Sequence, residues 1–119
     1  MSKKCHAFAL KDAEAAWEHM QLETVKDYGD YAYGHYLHTW DDGKRMLTKC
    51  KTCGGFVLIQ KSEFHSFMGG DDGYYTDYFP VEDEIEADKY NQMYVGFEIE
   101  KAFPERYLCM TNLRLHWSQ

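Results

Sequence analysis

The stretch CKTCGG, Cys50 to Gly55, sets two thiols two residues apart and follows them at once with two glycines. Such a pair is either a redox couple or half of a metal site. A redox pair normally sits where a helix begins, because the backbone donors of the helix N-terminus lower the pKa of the first thiol. Here Gly54, Gly55 and the β-forming run FVLI follow instead. Glycines let the backbone turn tightly around an ion so that its amides point toward both sulfurs, and a metal knuckle between two strands is therefore expected. A thiol redox pair and unliganded cysteines are the alternatives.

In its CxxCG segment the chain resembles the zinc knuckle of zinc-ribbon proteins, over about ten residues and without a second CxxC. The resemblance implies a structural zinc ion on Cys50 and Cys53, with two further ligands from elsewhere. A hairpin register read from the DDGK turn places His35 opposite Cys50, at about 5 Å between Cα atoms, and leaves His38 three residues further along. The fourth position is assigned to His65, which lies beyond the next strand in the same local module. Cys5 is the runner-up, and His6, Cys109 and His116 stay open. Cys109, in YLCMTN, also reads as a buried strand cysteine.

With 119 residues the chain reads as one domain over 1–119, large enough for a core but small enough to gain from a metal staple. The longest apolar runs, Phe56 to Ile59 among them, have four residues, far too short to cross a bilayer or to form a secretory h-region, so a cytoplasmic protein is expected. In that reducing compartment a close cysteine pair points to a metal rather than a disulfide.

The secondary-structure pattern predicts an α+β fold in which an N-terminal helix packs on an antiparallel sheet carrying the knuckle hairpin, with a short acidic helix in addition. Asp12 is the N-cap of a helix over 13–27 that Gly29 stops. The segments YGHYLHTW and KRMLTKC form a hairpin around Asp42-Gly43, which sets Trp40 opposite Arg45. FVLIQ is the third strand, YYTDYFP a short strand or loop ended by Pro80, and the helix in VEDEIEADKYNQMY is capped by Asp83. YVGFEIE and RYLCMTNLRLHW close the sheet. The expected core sets Trp17 and Met20 against Tyr36, Trp40, Leu47, Val57 and Ile59.

The net charge of −7 is uneven: residues 1–60 carry eight basic and eight acidic side chains, residues 61–119 five and twelve. Direct nucleic-acid binding is disfavoured by that sign, despite the local cations Lys44, Arg45, Lys49 and Lys51. From Asp71 to Asp88 there are eight carboxylates and no Lys or Arg, interleaved with tyrosines. One reading is a solvated face. The other is a contact surface for a basic protein partner, formed by Asp71, Asp72, Tyr75, Asp77, Tyr78, Glu82, Asp83, Glu84 and Glu86. In size and charge the chain resembles small acidic inhibitors made by mobile elements, including anti-CRISPR proteins.

No P-loop, GxGxxG, GxSxG or HExxH occurs. A zinc deaminase would carry HxE followed by PCxxC, and neither half is present. The DDG loop does not follow the EF-hand order. The sequence thus favours a non-enzymatic zinc-binding interaction module that binds, and inhibits, a basic nucleic-acid-binding protein. The alternative is a small zinc- or thiol-dependent enzyme of unrecognised class.

Overall fold

The computed structural model describes residues 4–31, 42–64, 73–94 and 98–118. Six strands form one antiparallel sheet in simple sequence order: β1 (Leu22–Tyr31), β2 (Asp42–Cys50), β3 (Phe56–Phe64), β4 (Gly73–Val81), β5 (Leu108–Thr111) and β6 (Arg114–Trp117). The helical elements are short: a 3-10 turn at His6–Ala9, α1 (Ala13–His19), α2 (Glu84–Met93) and α3 (Glu98–Ala102). Among the described residues no helix is long and apolar enough to cross a membrane.

The sheet therefore dominates, and the expected α+β arrangement built on a long N-terminal helix is overturned. Asp12 does cap α1, accepting from the Ala15 amide at 3.3 Å, but the helix ends after seven residues. After Met20 and Gln21, the rest of the expected helix is strand β1. Thr24, Val25 and Tyr28 suit a pleated surface, and pairing along β2 outweighs what a marginal short helix would gain by growing.

The expected hairpin at Asp42-Gly43 is also corrected, because both residues lie inside β2. Gly43 pairs with Tyr31 on one side and Ser62 on the other. Arg45 consequently faces Gly29, and Cys50 faces Leu22, so the register that set His35 against Cys50 does not form. In the segment read as the strand YVGFEIE, Glu98–Ala102 is helix α3, as its Glu, Lys and Ala content allows. RYLCMTNLRLHW folds into two strands joined through Asn112 and Leu113, both with positive φ. Pro80 does not end its segment but lies within β4, beyond the last residue that β5 pairs.

Alternation along the strands produces two apolar faces. Val57, Ile59, Tyr78 and Leu108 are buried with Cys5, Ala7, Ala16 and Met20 on the face covered by α1. Leu47, Leu58, Phe79 and Val81 are buried with Ala87, Ile99 and Phe103 on the face covered by α2 and α3. Leu47 thus belongs to the opposite face from Met20. Trp17 is 46% exposed and outside the core, while Tyr36 and Trp40 lie outside the described residues.

Candidate metal centre

CKTCGG is the turn between β2 and β3. The Cys50 amide donates to the Gly55 carbonyl at 2.8 Å and the Gly54 amide to the Cys50 carbonyl at 2.7 Å, closing a knuckle. Gly54 takes φ +77°, a conformation that side-chain-bearing residues adopt at a cost. Gly55 meets a different demand. A Cβ there would lie 2.3 Å from the Cys5 nitrogen and 2.4 Å from its Cα, so only glycine admits the N-terminal segment. Lys4 holds that segment in place through a parallel bridge to Phe56.

This close approach delivers a third thiol. Cys53 Sγ lies 3.6 Å from Cys5 Sγ, near the ~3.8 Å edge of a tetrahedron with metal–sulfur bonds of about 2.3 Å. His19, the last residue of α1, supplies the fourth donor. The ligand atoms of Cys5, His19, Cys50 and Cys53 all lie within 4.8 Å of one another. Among the described residues, His19 Nε2 is the one buried side-chain nitrogen or oxygen without a hydrogen-bond partner. An orphaned buried ring nitrogen is costly unless something occupies its lone pair or takes its proton, and a cation beside three sulfurs would do the first.

The electrostatics suit the same occupant. Burial pushes the Cys5 thiol up to about 12, assisted by the Cys53 thiol and by the negative charge of its two neighbours and opposed by the Ala7 amide. Burial also raises the Cys50 thiol, but backbone hydrogen bonds at Gln21, Cys53 and Thr52, with the Cys53 thiol, outweigh it and bring Cys50 down to about 7. Amides aimed at sulfur are what a thiolate knuckle requires. Three thiols cannot all ionise side by side without a cation to offset their repulsion. The donor set is a Cys3His group of the kind that holds structural metal ions.

Cys50 and Cys53 are thus brought together as expected, and the runner-up Cys5 joins them. His35 and His65, the expected third and fourth ligands, lie outside the described residues, as does His38. His6 is exposed, its ring 6.5 Å from that of His19. Cys109 is a buried strand cysteine, paired across the sheet with His116, and neither belongs to the Cys3His group. His19 falls inside the expected helix over 13–27 and is not among the expected ligands. The pairing of Leu22 with Cys50 was the signal that would have found it, because it brings the end of α1 to the knuckle.

The acidic segment divides. Asp71 and Asp72 lie outside the described residues. Asp77 and Tyr78 are buried, and Tyr75 is partly buried. Asp83 caps α2 by accepting from the Glu86 amide at 2.8 Å, while Glu86 accepts from the Glu82 amide at 3.1 Å. Asp88 accepts from Lys26 at 3.0 Å and from the Tyr28 hydroxyl at 2.5 Å. Glu84 stands exposed beside Asp83. Of the local cations, Arg45 is only 1% exposed and turns into the fold.

No known protein family, curated protein or solved structure matches this chain.

Proposed function

We propose that this chain is a non-enzymatic zinc-binding interaction module, in which Cys5, His19, Cys50 and Cys53 hold one structural zinc ion and the acidic surface around the start of α2 binds a basic protein partner. The observation that carries the zinc reading is the orphaned His19 Nε2 beside three thiols. Zinc suits that donor set because it accepts sulfur and imidazole nitrogen in a tetrahedron. Four protein ligands leave no open position for a reacting water, which favours a structural over a catalytic ion. The ion would fasten the N-terminal segment and α1 to the β2–β3 turn.

For the partner, Glu82, Asp83 and Glu84 gather carboxylates at the start of α2, while the exposed Tyr74 lies at the far end of β4 and outside that cluster. Carboxylates at such a spacing can stand in for phosphates on a nucleic-acid-binding protein, whose inhibition is the role proposed here. Metal analysis of chain purified without chelator tests the first half: one zinc per chain is expected, lost in Cys53→Ser. For the second half, Glu82→Lys with Glu84→Lys should slow association with a basic partner, and added nucleic acid should compete. A zinc-free chain with free thiols would refute the module, and a partner indifferent to both changes would remove the acidic surface from the reading.

A further inference from the structure

On the face of the sheet covered by α2 and α3, one row of side chains is polar from β2 to β6. Arg45 pairs with Gln60, Gln60 with Asp77, Asp77 with Cys109 and Cys109 with His116. The neighbouring row, Leu47, Leu58 and Phe79, is wholly apolar and buried. Arg45, Gln60 and Asp77 are 1%, 0% and 7% exposed. Four of its five members are buried and His116 is exposed; a buried polar row beside an apolar one is a poor way to stabilise a small domain, since apolar residues of like size usually serve as well. Its position is therefore informative.

The row is built in order. Arg45 Nε donates to Gln60 Oε1 at 2.6 Å, and its Nη1 fixes the end of α2 by donating to Asn91 and to the Tyr94 carbonyl, the latter at 2.6 Å. Gln60 Nε2 reaches Glu100 of α3 at 3.5 Å. Glu100 in turn meets Asp77, which also contacts the Cys109 thiol. At this point the row opens into a cavity of about 260 Å³, lined by Asp77, Glu100, Tyr75, Tyr107, Cys109 and His116 among others.

We infer that this cavity is a binding site for a guanidinium group, held by the paired carboxylates of Asp77 and Glu100 between aromatic walls. Two adjacent carboxylates match the planar fork of a guanidinium, and tyrosine rings offer faces on which it stacks. The cavity is smaller than the ~300–1,000 Å³ of drug-sized pockets, which suits one such group on a short alkyl stem. An anion is excluded by the carboxylates. Thiol chemistry is disfavoured because burial and the charge of Asp77 hold the Cys109 thiol far above its ordinary range. The ligand is either an arginine side chain of a protein or a small guanidino compound. The first would deepen the proposed binding of a basic protein, and for that source alone the inference rests on that reading.

The carboxyl pair gives the site a signature. Burial, then the hydrogen bond and charge of Asp77, push Glu100 up to about 9, against the opposing pull of Arg45 and Lys101; burial also raises Asp77, against its contacts with Glu100, Cys109 and His116. Near neutral pH the two acids share a proton, and an entering cation must displace it. Arg45 of β2, Tyr75 of β4, Lys101 of α3, Tyr107 just before β5, Cys109 of β5 and His116 of β6 are the other titratable or charged groups around the pair.

The test is titration of the full zinc-loaded chain with ethylguanidinium, followed by amide NMR shifts and by calorimetry in two buffers of different ionisation enthalpy. Saturable shifts at Asp77, Cys109 and His116 are expected, with proton release and an affinity that rises up to tenfold per pH unit between neutrality and pH 9. Glu100→Gln should weaken binding tenfold or more, whereas Glu84→Gln, which removes the same charge elsewhere, should leave it unchanged. A capped arginine tripeptide that binds more tightly than ethylguanidinium indicates a protein source, and equal binding a small guanidino compound. Shifts confined to the start of α2, or wild-type binding without proton release, would overturn the inference even if Glu100→Gln does not fold. Loss of zinc binding or of partner binding with this behaviour intact would count against the module alone.

Discussion

Gly55→Ala is the sharpest test of how the metal centre is assembled. The added Cβ would lie 2.3 Å from the Cys5 nitrogen, 2.4 Å from its Cα and 2.7 Å from the Lys4 carbonyl carbon. All three are backbone atoms, so no side chain can rotate away. Ordinary contact begins at 3.4 Å, and the N-terminal segment must retreat by roughly 1 Å. Metal–ligand bonds tolerate only about ±0.2 Å, so Cys5 would leave the coordination shell of the proposed zinc. Structural zinc sites bind with roughly 10–16 kcal/mol, and one ligand in four accounts for about 3 kcal/mol, or on the order of a hundredfold in affinity. Competition against a chromophoric chelator measures that factor. Gly54→Ala is the control: it has only Lys49 Cε at 3.9 Å near its new methyl, but sits at φ +77°. It should cost about 1–2 kcal/mol in stability while leaving the donors in place and zinc affinity near wild type. Equal zinc affinity in Gly55→Ala and wild type would refute the steric argument, and with it the assignment of Cys5.

Other outcomes follow from the same structure. His19→Ala should lose zinc affinity by a comparable factor, while removing an orphaned nitrogen should leave the apo chain no less stable; competition titration and apo denaturation measure the two separately. Trp17→Ala should cost about 1 kcal/mol or less because the ring is 46% exposed, whereas Leu58→Ala, fully buried, should cost about 2–5 kcal/mol by urea denaturation. Glu100 binds its proton more tightly in the folded chain, at about 9 against an ordinary value of 4.5, so its contribution to stability is complete below pH 4.5 and is lost as pH rises through 9. Denaturation midpoints of the zinc-loaded chain from pH 7 to 9 should therefore fall, and Glu100→Gln should flatten the fall.

Much of the local structure was legible because it is set by few residues. Asp12 and Asp83 announce helix starts through side chains that accept amides three residues on, and both do so. The run FVLI is a buried strand for the reason its composition suggests. What failed were decisions that depend on distant pairing. Residues 20–27 satisfy a helical period as well as a strand, and β2 decides between them. Asp42-Gly43 carries the local chemistry of a turn, yet Asp42 pairs with Glu63 of β3 and Gly43 with strands on both sides.

The Cys3His group shows how one register error propagates. The cysteine pair is readable from spacing and glycines alone, but the expected third ligand depends on a hairpin that would put His35 opposite Cys50. In the structure Leu22 occupies that place, and the Gln21 carbonyl accepts the Lys51 amide at 2.8 Å, so the end of α1 meets the knuckle. The same pairing explains why α1 is short. A helix continuing past His19 would carry Gln21 and Leu22 away from β2, whereas a stop at Met20 keeps the buried Nε2 of the partly exposed His19 beside the sulfurs. Helix length, strand register and the fourth donor are thus one constraint, and no segment of the sequence read by itself contains it.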